Sequence, residues 1–225
     1  MNGGSIVKMI TAVIPVREGS RRVKGKNIKP FAEKSLLQYK IEQLKRIDQI
    51  DEIVVSSDSE KMLSLAKSLG VKAIKRPIEY CDEKSKTFNQ VVRYIASNQV
   101  MGDVMIWAPC VCPLLKDDSL KEGIEIFNSK KEIDSVVSAK RIQEYIFDEN
   151  GPINFSVENH VTSQNLPKWH VIVNGFFIAK RKDMEKWGFV YGERPYLYEI
   201  EKIEAIDIDD EFDFEMAEFF MKRKG

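Results

Sequence analysis

Short, almost wholly apolar runs alternate with segments of helical period over about the first 140 residues, and this alternation limits the available folds more than any other feature. Met9–Val16 reads as a strand buried on both faces. Glu52–Ser56, Val71–Ile74, Asp103–Trp107 and Ser135–Ser138 read as further strands. Between them, Ser35–Ile47 and Ser59–Leu69 carry apolar residues at helical spacing, with Gly70 as a stop signal. Thr87 caps a predicted helix through Phe88, Val91, Val92 and Ile95, and Leu120, Ile124 and Phe127 mark another. Near-continuous apolar strands separated by helices imply a largely parallel sheet with helices on both faces. Such sheets bind ligands beyond the carboxyl ends of their strands, so the loops after Val16, Ser56 and Trp107 are the places to look for chemistry.

The texture changes near Lys140. Gln143–Phe147, His170–Ala179 and Tyr196–Ile200 read as strands with polar, irregular connections, a mixed β extension over about residues 140–200. Ile203–Ile208 reads as a returning strand and Glu211–Lys222 as a closing helix. At ~100–200 residues per domain, the 225 residues fit one domain spanning 8–225, with Met1–Ile6 as a frayed terminus.

Lys+Arg and Asp+Glu both number 35, which argues against a nucleic-acid binder. No run reaches the ~18 apolar residues of a membrane span. Met9–Val16 runs straight into arginines without a small-residue cleavage site, so it is not read as a signal peptide. Cys81, Cys110 and Cys112 are odd in number and lack zinc spacing, and read as reduced thiols of a cytoplasmic protein.

The loop after the first strand crowds Arg17, Arg21, Arg22, Lys24 and Lys26 together, with Gly19 and Gly25 allowing close backbone approach. Backbone N–H groups under several cations make an anion cradle, and so many cations suit a polyphosphate. The glycine spacing and Lys26-Asn27 exclude a P-loop. At the other end of the chain, Asp207 and Asp209 alternate with Ile206 and Ile208, which places both carboxylates on one face of the predicted strand. Two hard oxygen ligands on one face suit Mg²⁺; Asp209–Glu211 also suit the cap of the closing helix.

Pro15-Val-Arg17-Glu-Gly-Ser20 with Lys26-Asn27 resembles the first motif of the acylneuraminate cytidylyltransferases, which make CMP-sialic acids and related CMP-nonulosonates. Ile53–Asp58, Arg76-Pro77-Ile-Glu79, Asn174-Gly175 and Ala205–Asp213 are similar to later motifs of that family, in the same order. The resemblance implies a Rossmann-like α/β nucleotidyltransferase, a mostly parallel sheet sandwiched by helices, with a small mixed β extension for dimerisation and substrate. It implies CMP transfer from CTP to a small acidic acceptor, a sugar acid by default, with Mg²⁺ as cofactor and a homodimer as the assembly. Arg17, Lys26 and Asp209 are then the catalytic candidates. Pro15, Arg17, Ser20, Arg21, Lys26, Asn27 and Arg76 would bind CTP, and Asp207 and Asp209 the metal. Asn174, Lys116 and Lys168 are the acceptor candidates.

The chain departs from the family in its acceptor half. Pro109–Lys116 stands where Gln-Pro-Thr-Ser-Pro-Leu-Arg is usual, Ile172 where an arginine is common, and Asp148 near the place of a lysine. A different acid, phosphate or phosphonate acceptor is the alternative within the same chemistry. A glycosyltransferase and a non-catalytic nucleotide binder are the competing classes, the first disfavoured because its Asp-x-Asp pair usually lies mid-chain.

Overall fold

A computed structural model describes residues 8–19 and 22–223 of the chain. Strand β1 (Ile10–Pro15) lies between β4 (Glu52–Ser57) and β6 (Val104–Trp107), parallel to both, and β5 (Lys72–Lys75) extends the same edge in parallel. On the other side β10 (Trp169–Lys180) runs antiparallel to β6 and to β7 (Ser135–Ile142), and β11 (Pro195–Glu199) adds to β7 in parallel. The sheet order is β11-β7-β10-β6-β1-β4-β5.

Helices cover both faces, and the strand sequences show why. In β1, Ile10, Ala12 and Ile14 enter one core while Val13 enters the other; in β6, Val104 and Ile106 oppose Met105 and Trp107. The first core is closed by α1 (Leu36–Lys45), α2 (Glu60–Ser68), α4 (Asp117–Ser129) and α6 (Glu211–Lys222). The second is closed by α3 (Phe88–Asn98) and α5 (Arg181–Trp187), through Val92, Ile95 and Met184. Thr87 caps α3 in a capping box with Gln90, as its sequence signals.

Several expectations are corrected. Ile203–Ile208 forms no strand: residues 202–205 turn, and the following segment is held by the Ile208 N–H donating to Val111 O at 2.9 Å. Ala205 and Ile208 are buried in the first core with Ile206 packed against it, none paired in a ladder, and Ile203 is exposed. Residues 143–146 are likewise irregular, and β7 ends at Ile142. The hairpins β2 (Pro30–Phe31) with β3 (Lys34–Ser35), and β8 (Phe147–Asp148) with β9 (Gly151–Pro152), had no clear sequence signal, and α5 was hidden inside a charged stretch.

One irregularity positions the site. Ile172 pairs with Ala139 but Phe177 pairs with Val137, so β10 bulges by several residues around Asn174-Gly175. Ser138 fills the gap in the ladder: its hydroxyl donates to Val173 O at 2.7 Å and accepts from the Phe176 N–H at 3.0 Å. A Cβ on Gly175 would meet the Ser138 hydroxyl at 3.0 Å. Ser138→Ala is expected to strand the buried Phe176 N–H and destabilise the protein by about 1–3 kcal/mol, measured by urea unfolding; an unchanged midpoint would show that the bulge does not need the hydroxyl.

Candidate functional site

A cavity of about 640 Å³ opens at the carboxyl ends of β1 and β6 and is flanked by the β10 bulge. A second, of about 320 Å³, shares Pro15, Arg17, Arg22 and Lys26 with it and adds Asn27 and Cys110. The basic loop and the acidic segment therefore meet in space across most of the chain.

The loop is shaped by Gly25, whose φ of +66° favours glycine and whose carbonyl accepts from the Ile28 and Lys29 N–H groups. This turn directs Lys26 inward, where its ammonium donates to the Ile208 carbonyl. Burial pushes the Lys26 pKa down, and the carboxylates of Asp207 and Asp209 pull against that shift. Arg22 forms an ion pair with Asp209 at 2.7 Å. Arg17 donates to the Cys81 carbonyl at 2.9 Å and pairs with Glu83. Asn27 is buried, its amide 3.5 Å from the Arg17 carbonyl. Ser20 and Arg21, both expected to bind CTP, lie outside the described residues.

Arg76 is buried where β1 and β4 end. Its guanidinium donates to Val16 O at 2.8 Å, Cys81 Sγ at 3.0 Å and Ser56 Oγ at 3.4 Å. None of these partners is a carboxylate, so the charge is left to act on the cavity it lines.

Asp207 and Asp209 both line the cavity although no strand places them there. The cap of α6 is Asp210, which accepts from the Asp213 N–H at 3.0 Å and leaves the Asp209 carboxylate to the cavity. Asp207 accepts from the Asn174 amide at 2.8 Å through Oδ2, while its Oδ1 is buried without a hydrogen-bond partner. Burial raises the Asp207 pKa; the Asn174 hydrogen bond opposes this and the neighbouring Asp209 charge adds to it. Among the described residues no group of three or more His, Cys, Asp or Glu side chains gathers to hold a metal. A pair of carboxylates with one unpartnered oxygen fits a hard cation that takes its remaining ligands from phosphate and water.

Asn174 thus sits at the junction of the cavity's two sides. Neither Lys116 nor Lys168 lines this cavity. The Lys116 ammonium pairs with Glu201, and Lys168 is exposed at the start of β10. The wall beyond Asn174 is instead aromatic. Phe88 meets Trp107 and Phe189 edge to face, with ring centroids 5.7 and 5.5 Å apart, and Phe189 meets Tyr191 at 4.8 Å. Phe88, placed by the sequence only on the helix that Thr87 caps, is 45% exposed; Phe189, Tyr191, Glu83 and Lys86 carried no signal beyond their proximity to motifs.

The architecture is that of an α/β nucleotidyltransferase. CMP:2-keto-3-deoxy-manno-octonic acid synthetase complexed with CTP superposes with a TM-score of 0.71 at 13% identity, covering 96% of this chain and 100% of that one. The family model described as Cytidylyltransferase matches residues 11–164, and the chain belongs to that family. It is 24% identical over 227 residues to the N-acylneuraminate cytidylyltransferase of Escherichia coli, covering 96% of this chain but only 53% of that protein, about half its length. It is 28% identical over 220 residues to the pseudaminic acid cytidylyltransferase of Campylobacter jejuni, covering 93% and 95%.

The Asn174 amide favours the charged form of Asp207. Asn174→Leu is therefore expected to move the Asp207 pKa further up, so that its carboxylate protonates at higher pH than in the parent protein. Carboxyl carbon-13 NMR titration reads this directly, and an unmoved titration would detach Asn174 from Asp207.

Proposed function

We propose that the protein transfers CMP from CTP to a sugar acid of the nonulosonate kind, with release of pyrophosphate, to make an activated CMP-sugar for surface glycan synthesis. The observation that carries this reading is the junction of the Arg17–Asn27 loop with Asp207 and Asp209 in one cavity, in a chain of the cytidylyltransferase family. Similarity to relatives named for N-acylneuraminate and pseudaminic acid supports the acceptor class.

Arg17, Arg22 and Lys26 hold the triphosphate oxygens, with Pro15 and Arg76 on the nucleoside side. The acceptor enters along the Asn174 side. Its hydroxyl oxygen bonds to the α-phosphorus as the bond to the leaving pyrophosphate breaks, and the hydroxyl proton is lost. Catalysis of this kind is positioning and charge stabilisation, and none of the three buried thiols is used. Asp207 and Asp209 would hold Mg²⁺, which would supply charge neutralisation and a lower pKa for the acceptor hydroxyl.

We place the enzyme in the cytoplasm, in keeping with three buried free thiols and a nucleoside triphosphate substrate. No helix among the described residues is long and apolar enough to cross a membrane. We also propose a homodimer through the β8–β9 hairpin and the start of β10, where Phe147, Ile153, Trp169 and Val171 are exposed.

Pyrophosphate release is measured with Mg²⁺ and CTP, UTP, ATP or GTP over a panel of sugar acids, phosphates and phosphonates. CTP-specific release with a sugar acid is the expected result, and Asp209→Ala is expected to abolish it with the fold retained. Release with phosphates alone would replace the acceptor class. Failure to bind CTP would overturn the reading of the cavity.

A further inference from the structure

Two cations are buried among the described residues, Arg76 and Lys40. Arg76 lines the cavity; Lys40 does not, and the reaction described above leaves it without a role. Lys40 lies on the inner face of α1, 2% exposed, and its ammonium donates to Gln43 Oε1 at 2.8 Å. Among the described residues it has no carboxylate partner within ion-pair distance. The ionisable groups facing it are Cys110 and Cys112 in the loop after β6 and, more weakly, Asp117 at the start of α4. Asp117 is already engaged by the Arg46 guanidinium at 2.7 and 3.0 Å.

An ammonium buried against neutral groups is costly, and here burial pushes its pKa down. Its surroundings show where compensating charge would come from. Cys110 and Cys112 also feel Lys26, whose side chain lines both cavities. Pro109, Cys110 and Val111 form one wall of the smaller cavity, so this wall has Lys26 on its open side and Lys40 on its core side. The Gln43 amide, itself buried, donates to the Leu115 carbonyl at 2.7 Å and ties the far end of the same loop to α1. Val111 O, between these points, accepts from the Ile208 N–H and so anchors the segment bearing Asp207 and Asp209.

We propose that Lys40 is a positioning residue for the triphosphate, setting a positive charge behind the Pro109–Leu115 wall and holding that wall through Gln43. The proposal rests on the nucleotide reading above. A polyanion in the cavity supplies the opposite charge that Lys40 lacks in the free protein, and the intervening protein screens the attraction far less than water would. The benefit therefore scales with ligand charge, which a packing role does not share.

Lys40→Met removes the charge while keeping most of the bulk. Relative to the parent protein, it is expected to keep or raise the thermal midpoint, because an unpaired buried charge is lost. Calorimetry is expected to show CTP affinity reduced about tenfold and CMP affinity less than about threefold, with KM for CTP raised and kcat at saturation little changed. Gln43→Leu keeps the charge and cuts the tie to Leu115, and is expected to weaken CTP and CMP equally. Lys40→Leu repeats the test should the methionine variant fold poorly. Parent-like CTP affinity, or equal loss for CTP and CMP in the Lys40 variants, would overturn this proposal alone. Absence of CTP binding by the parent protein would overturn the nucleotide reading and this proposal with it.

Discussion

The site depends on charge attraction between two segments at opposite ends of the chain, with Lys26 bonded to a carbonyl 182 residues away. Within the basic loop Arg22 repels Lys26, and Asp207 and Asp209 repel each other in the same way. Each segment supplies the other's counter-charge. The sheet makes the meeting possible: β1 delivers the loop at its carboxyl end, and the loop after β6 receives the acidic segment through the Val111–Ile208 hydrogen bond.

The two groups of ion pairs differ in kind. Arg22 and Asp209 are 68% and 53% exposed, and a pair of that sort is worth ~0–1 kcal/mol. A triphosphate and its cation can exchange partners with it at little cost. The same holds for Arg17 with Glu83, whose side chain is largely in solvent. Arg76 and Lys40, by contrast, are embedded before any ligand arrives, and among the described residues neither pairs with a carboxylate. The cavity thus combines exchangeable surface pairs with built-in positive charge.

Most of the sheet and its helices could be read from the chain because apolar residues report burial. Met9–Val16, Glu52–Ser56 and Asp103–Trp107 became β1, β4 and β6 on that signal alone. The same signal misled at Ile203–Ile208, where Ala205 and Ile208 are buried without a ladder partner and Ile203 is exposed. The inference that Asp207 and Asp209 share one side held anyway, since extended backbone alternates side chains whether or not it pairs. The Asn174 bulge was illegible because it arises from the register between β7 and β10, a relation between distant segments. Lys116 and Lys168 lie off this cavity's lining for a related reason: a charge in a sequence does not say which side of a loop it faces, and Lys116 turns to Glu201.

The two sides of the cavity differ in chemical character. The cavity's arginines and Lys26 gather over β1 and β4, while the side over β6 and β10 presents Trp107, Phe177, Phe189 and Tyr191. The single polar bridge between these halves is Asn174, and its amide is already committed to Asp207. A group entering from that side meets Lys26 beside the two carboxylates at the junction, and aromatic rings farther out. An anionic group at that junction is repelled by Asp207 and Asp209 as it is drawn by Lys26, whereas the aromatic wall suits less polar surface, so the two sides of the cavity differ in the chemistry they can accept.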